Sequence, residues 1–439
     1  MVSTRWVGGL AALCAVSAAP CAHAQTVQKH VSATELFALA DKAKAAKRYK
    51  DARTIYEALA HDPDVEIRTE ARFREAMMLA DQKRYNEAAV LLRAILDEKP
   101  NAARVRLELA RMLAALGEDE GARRQLRQAQ AGGLPNDVAV VVNQFSHALK
   151  SQQPYGGSLE VDMAPDSNIN RATAARTLDT IIAPLTLSSD ARQQSGLGFH
   201  TAGQGFGRLF LTDDLAVVPR LSGQADLYRT PEFDDVSGSA QVGLEWKLGA
   251  DQVTPSAGQT WRWYGTKLYA ETQTFSVDWT HPIGARTQLE GQASASKASY
   301  LLNNLQNGNI FANAATVEHA FDARTGASVT LDVVRQTAED PGYATWSGGG
   351  SVTAWRDFGK VTLYTTLGLH RLVGDAELFL FTDKRDEWLY QVGAGATFRQ
   401  FTVVGFAPVV RLNIERNRST VALYDYTRVD TQVGVTRAF

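Results

Sequence analysis

The strongest constraint on this chain is a period of two that returns over almost its whole second half. From about Gly156 to Phe439, apolar and polar residues alternate in run after run, with turn residues between the runs. Val242, Leu244, Trp246 and Leu248 interleave with Gln241, Gly243, Glu245 and Lys247. Val329, Leu331 and Val333 interleave with Ser328, Thr330 and Asp332, and the same pattern runs from Val404 to Ile414. A period of two means strands with one apolar and one polar face. Strands of soluble sandwiches run about 5–6 residues. These runs are longer, have no helical pattern between them, and carry Glu, Lys, Arg and Asp on the polar face. Long, two-faced strands of this kind fit a transmembrane antiparallel β-barrel with lipid outside and a wet lumen.

The turn residues divide this region into about fourteen strands. They begin near Gly156, Ser195, Leu215, Val236, Val253, Glu271, Thr287, Asn309, Thr325, Ala344, Lys360, Glu387, Phe401 and Tyr424. The even-numbered connections are short, such as Gly284-Ala285-Arg286 and Phe358-Gly359. The odd-numbered ones include long loops, Pro165 to Gln194 above all, with the stretch Thr266 to Ala270 ambiguous. Aromatic residues gather at both strand ends. Trp246, Trp279, Phe321 and Phe358 lie near the short turns, and Tyr264, Tyr300, Trp346, Trp388 and Tyr426 near the long loops. This predicts two lipid-facing girdles. The final Phe439 resembles an outer-membrane insertion signal, which makes the barrel-assembly machinery and outer-membrane lipid expected partners.

The N-terminus predicts a signal peptide over residues 1–24. Arg5 precedes an apolar run from Trp6 to Ala19, and Ala22-His23-Ala24 forms a cleavage site. Both cysteines, Cys14 and Cys21, fall inside it. A mature chain without thiols has no disulfide and no thiolate metal site.

Residues 25–154 read as a periplasmic helical domain that repeats itself. Ala40, Ala76 and Ala110 stand 36 and 34 residues apart, and Ala52, Ala88 and Ala122 keep the same intervals. So do Tyr56, Leu92 and Leu126, and Leu59, Ile95 and Ala129. A period near 34 with small residues at the helix contacts resembles the tetratricopeptide (TPR) repeat. A last helix, capped at Asn136-Asp137 and running to Lys150, is expected to cover the end of the solenoid. Because each repeat packs on its neighbours, residues from about Gln25 to Gln153 are expected to fold alone, without the barrel. In the TPR register the concave groove presents Phe37 and Asp41, then Phe73 and Met77, then Arg104, Leu107 and Arg111, a surface suited to an extended, partly acidic client segment.

No catalytic site emerges. His200, His281, His319 and His370 lie on separate strands, and no Walker loop, H-E-x-x-H or G-x-S-x-G motif occurs. The chain is not expected to be an enzyme, nor to use a cofactor, a metal or nucleic acid. The most distinctive local motif is Asp166-Ser167-Asn168-Ile169-Asn170, which opens the longest loop. Asp166, Asn168 and Asn170 are expected to latch that loop against the lumen or its rim as a plug, through residues such as Arg220, Gln224 or Arg411. The apolar Ile181-Ile182-Ala183-Pro184-Leu185 would be buried there.

A leader, TPR-like repeats, and a barrel that opens with Asp-Ser-Asn-Ile-Asn and ends in Arg-Ala-Phe together resemble the surface lipoprotein assembly modulator (Slam) family. The resemblance implies a periplasmic repeat domain before a fourteen-stranded outer-membrane barrel. It also implies a translocator that delivers lipoproteins or soluble proteins to the cell surface. A secreted or surface lipoprotein is then the expected client, with a periplasmic chaperone as a further partner. The alternative is a polysaccharide-export or nutrient porin with a periplasmic TPR domain.

Overall fold

The computed structural model describes residues 31–132, 154–401 and 406–437. The leader, the helix expected from Asn136 to Lys150, and Phe439 lie outside them. Six helices come first: α1 Ala33–Ala45, α2 Tyr49–Leu59, α3 Val65–Asp81, α4 Tyr85–Glu98, α5 Ala103–Ala115 and α6 Asp119–Ala131. They form three antiparallel pairs. The repeated alanines lie at the crossings, and Ala40, Ala52, Ala76, Ala88, Ala110 and Ala122 are all fully buried. Each pair turns through one residue at positive φ, namely Lys47, Lys83 and Gly117, again 36 and 34 residues apart. The third repeat uses glycine where that backbone costs least.

Burial inside the solenoid creates one pH-sensitive group. Loss of water around Glu75 pushes its carboxyl up to about 7, although Arg53 lies 3.3 Å away. A raised acid favours the fold fully below its ordinary value of 4.5, and that contribution disappears as pH climbs to about 7. Melting followed by helical ellipticity should show it. Glu75→Gln should gain on the wild type as pH rises from 4.5 to 7, by at most about 3 kcal/mol. A difference independent of pH would mean that Glu75 stays charged.

Fourteen strands follow. They are β1 Tyr155–Asp166, β2 Gly196–Gly207, β3 Leu215–Tyr228, β4 Asp235–Leu248, β5 Asp251–Tyr264, β6 Lys267–Ile283 and β7 Thr287–Tyr300. The second half is β8 Gly308–Ala320, β9 Thr325–Gln336, β10 Thr345–Phe358, β11 Val361–Glu377, β12 Lys384–Phe398, β13 Phe406–Ser419 and β14 Tyr426–Arg437. Each pairs antiparallel with its neighbours in sequence, and β14 pairs back onto β1, so the barrel closes. The ambiguous connection is a two-residue hairpin. Gly265 and Thr266 both take positive φ, as a type I′ turn requires, and β6 starts at once.

The alternation sets the faces as the sequence predicts. Leu331 is 63% exposed on the outside, while Asp332 turns inward to His370 at 2.9 Å. Leu331→Arg should therefore weaken the folded barrel by about 2–4 kcal/mol if that position is at mid-membrane. The loss would appear as a lower temperature for disappearance of the folded band on unheated gels. An unchanged temperature would place Leu331 away from lipid. Leu244 is likewise outside, but its inward neighbour Glu245 is not idle, because it pairs with buried Arg208 at 3.0 Å. Glu245→Ala would leave that buried guanidinium without this carboxylate.

The girdle at the long-loop end needs a correction. Trp346 and Trp388 face outward, half-exposed beneath Arg335 and Arg371. Tyrosines of the same tier turn into the barrel instead. Tyr300 packs on Tyr269 at 5.5 Å, and the Tyr426 hydroxyl donates to Glu415 at 3.4 Å. A phenol that can find a polar partner inside gains more there than one facing lipid.

Candidate functional site

The helices do not stand apart from the barrel. They lie across its short-turn mouth, which overturns the expectation that they pack only on one another. Arg93 of α4 pairs with Asp357 at 2.7 Å, and Asp97 of the same helix receives Arg399 at 3.0 Å. From α6, Arg127 pairs with Glu318 at 2.7 Å and donates to Gln288, while Arg123 donates to Gln252. These partners sit at or beside the turns β4–β5, β6–β7, β8–β9, β10–β11 and β12–β13. The contact is desolvated: the Asp97 and Arg399 side chains are each 6% exposed. Burial raises the Asp97 carboxyl despite its two arginines.

Arg106 is the centre of this contact. It is 1% exposed, donates to Gln125 at 2.7 Å and Gln128 at 2.8 Å within α6, and reaches the Ala323 carbonyl in the β8–β9 turn. Burial lowers its pKa, but a guanidinium keeps its proton. A charge held by neutral acceptors is costly to desolvate, so any rearrangement of the turn is felt in the helices. Between helices and lumen lies a cavity of about 460 Å³, bordered by Arg93, Arg124, Glu318, Trp355, Tyr364 and Arg411.

The predicted groove residues fall into two groups. Phe37 lies under Arg74 at 4.6 Å, and Phe73 under Arg104 at 4.8 Å. Two Phe–Arg stacks, each joining one repeat to the next, thus mark the groove. Phe73, Met77 and Leu107 also pack half-buried on the solenoid core, so part of their role is structural. Arg111 is exposed and pairs with Glu108 at 2.9 Å. Arg74 was not among the expected groove residues. It spans repeats, bonding Asp41 at 2.7 Å, which also accepts from the Tyr56 hydroxyl at 2.7 Å.

The loop motif does latch, but to different partners. The Asp166 carboxylate accepts from its own loop, at Asn168 N (2.7 Å), and from Arg428 Nε (2.8 Å) on β14. Asn168 is fully buried and donates to the Thr427 carbonyl at 3.1 Å and the Ala172 carbonyl at 2.9 Å. Asn170 ties the far end of the loop, donating to Arg192 O at 2.7 Å. Arg220, Gln224 and Arg411 play no part in this. Nor is the apolar patch buried: Ile181 and Ile182 are 56% and 75% exposed, and the Ile181 amide bonds the Leu380 carbonyl of the β11–β12 loop. The apolar part of the loop thus lies against a neighbouring loop, while its start turns inward, Arg171 reaching Glu415 on the lumen face of β13 at 3.7 Å.

Arg411 instead belongs to a cluster on the inner wall. Reaching from β13 across β14, it binds Glu160 and Asp162 on β1 (3.1 Å to Asp162) and receives support from the Tyr364 hydroxyl at 3.0 Å. The four histidines stay on separate strands. His200 pairs with Asp226 at 2.7 Å, and His281 with Asp251 at 2.8 Å. Among the described residues no group of three or more His, Cys, Asp or Glu could hold a metal ion.

A closed fourteen-stranded barrel with an apolar outer belt, polar lumen and helical repeats at its short-turn mouth is an outer-membrane protein with its repeats on the periplasmic side. Residues 156–439 match the family model described as surface lipoprotein assembly modifier, and residues 79–133 match that of the tetratricopeptide repeat. The chain belongs to the surface lipoprotein assembly modifier family. The Surface lipoprotein assembly modifier of Pasteurella multocida is 28% identical over 131 residues, which are 29% of this chain and 25% of that one. Surface lipoprotein assembly modifier 1 of Haemophilus influenzae is 19% identical over 377 residues, covering 83% of this chain and 76% of its own. The match thus spans a quarter of the Pasteurella protein. Among solved structures, in-vitro folded OmpT of Vibrio cholerae aligns at TM-score 0.38 and 8% identity over 65% of this chain and 97% of its own. A likeness that slight adds nothing to the assignment.

Proposed function

We propose that this chain moves specific lipoproteins or soluble proteins across the outer membrane, the repeats recruiting the client and the barrel forming its route. The observation that carries the reading is the placement of the groove. Its Phe37–Arg74 and Phe73–Arg104 stacks lie on a solenoid docked directly over the lumen entrance. A client segment held there is tethered within one solenoid's width of the mouth, which raises its effective concentration at the channel. The stacks suit an extended segment with apolar and acidic side chains. A barrel of this kind acts as a route and not as a catalyst.

Membership of a family named for surface lipoproteins supports a lipoprotein client. The test is display of an epitope-tagged lipoprotein from the same organism, co-expressed with this chain in a host that lacks both. Added protease should reach the client only when the full chain is present. Phe37→Ala with Phe73→Ala should reduce display several-fold while barrel insertion stays normal. Display unaffected by the chain would end the translocator reading, and display unaffected by the groove substitutions would remove the groove from it.

A further inference from the structure

We propose that the seam between β1 and β14 is a lateral exit, held shut by two arginine clasps, through which an acylated client segment passes from the lumen into lipid. The inference rests on the lipoprotein reading above for its ligand, but on separate observations for its place.

The first observation is the ladder itself. Between Val161 and Asp166, β1 takes Val435, Gly434, Val433 and Asp430 of β14 as partners, while Ala164 and Pro165 have none there. On the other side both are paired, with Gly198 and Leu197 of β2. The Ser167 amide donates to Val429 of β14 at 3.0 Å. Ladder groups on a strand face the same neighbour at every second residue, so Pro165 also faces β14, where it has no N–H to give. Pro255 leaves the same two-residue gap between β4 and β5, at Leu244 and Glu245, so the gap by itself marks no exit; at the seam it falls on the pair of strands that closes the barrel.

The second observation is how the inner wall closes over this gap. Arg411 sits on β13, yet its carboxylates are on β1, and it reaches them across Gly434. A side chain at Gly434 would collide with Asp162: a Cβ there would lie 1.5 Å from its Oδ1. Glycine is therefore required for the clasp to pass. Arg428 makes the second clasp, to Asp166, at 2.7 Å. Asp162 itself is 1% exposed, and its Oδ1 accepts no hydrogen bond. An interrupted backbone ladder is thus closed by charged side chains facing the lumen, where an incoming segment can compete for them.

The third observation is chemical. The wall beside the clasps is polar, with Asp226, His200, Asp430 and Glu415 lining a cavity of about 560 Å³. Acyl chains lose free energy with every methylene left in such surroundings. Outside the same seam stand Val161, Met163, Val433 and Val435, all exposed to the lipid belt. An opening of one strand spacing would let the peptide stay inside while its acyl chains enter lipid.

Spin labels at Phe199→Cys on β2 and Leu412→Cys on β13 bracket the seam from outside. Labels at Phe275→Cys and Leu331→Cys span the same number of strands elsewhere. In nanodiscs with the full chain, a dipalmitoylated cysteine peptide should lengthen the first distance by about one strand spacing, ~4.8 Å, and leave the second unchanged. Arg411→Ala with Arg428→Ala should populate the longer distance without peptide. An unchanged seam distance in both cases overturns the exit, as does equal lengthening at the control span. The lipoprotein reading fails separately. If the same peptide without acyl chains opens the seam equally, the exit stands and the preference for acylated clients does not.

Discussion

Arg93→Ala combined with Arg127→Ala should turn a quiet barrel into a conducting one. Both arginines leave the helical domain to pair with barrel carboxylates, Asp357 and Glu318, and all four side chains are about one-tenth exposed. Breaking a buried pair from one side costs about 3 kcal/mol here, the lower end for such pairs, because Asp357 keeps Arg399 at 3.5 Å and Glu318 keeps Arg124 at 3.3 Å. Each loss alone favours undocking by a factor of more than a hundred, at about 1.4 kcal/mol per tenfold. Both act on the same docked–undocked equilibrium. Once the helices leave, water refills the interface and the carboxylates are solvated again. Single-channel recording in planar bilayers reads the outcome: rare, brief openings in the wild type, sustained current in the double variant. Added salt should imitate the substitutions poorly, since buried pairs are little screened. If proteolysis shows the helices released and the current stays at baseline, the closure lies deeper in the lumen and the helices are not the cap.

The sequence made the barrel and the repeats legible for a simple reason. Both are periodic, and a period survives without knowledge of any distant partner. Leu331 and Asp332 fall on opposite faces because the strand period is two, and Ala40, Ala76 and Ala110 are buried because the repeat period is near 34. The docking of helices on barrel has no period. Arg93, Arg106 and Arg127 look like ordinary surface residues of an Arg-rich helix, and their partners lie about two hundred residues or more away. The inward tyrosines were within reach of the period: Tyr300 shares the face of Gln288 and Glu290, and Tyr426 that of Arg428 and Asp430, with no bulge in either ladder. The partners of the loop motif were within reach. Closure places the first strand beside the last, so Arg428 of β14 was a better candidate for Asp166 than Arg411. The groove was legible in its phenylalanines but not in Arg74, whose role depends on the packing of one repeat against the next.

Asp166→Ala should destabilise the barrel, whereas Asn170→Ala should loosen only the first loop. The two residues belong to one motif but hold different things. Asp166 is 5% exposed and joins β1 to β14 through Arg428, whose other carboxylates, Glu415 and Asp430, stand farther off at 3.5 and 3.6 Å. Removal leaves Arg428 partly compensated, so the loss should fall near the lower end for a buried pair, about 3 kcal/mol. It also frees the Asn168 amide, which has little water to turn to, since Asn168 is wholly buried. Asn170 bonds only within the loop, to Asp190, Arg192 and Gln194, and its contacts are closer to solvent. Water can replace them, which limits the cost to about 1 kcal/mol for each lost bond. Unheated-gel mobility against temperature reports the barrel, and limited proteolysis between residues 171 and 194 reports the loop. Asp166→Ala should lower the first and expose the second, while Asn170→Ala should change only the second. Equal barrel stability in the two variants would show that the β1–β14 closure draws nothing from the Asp166–Arg428 pair.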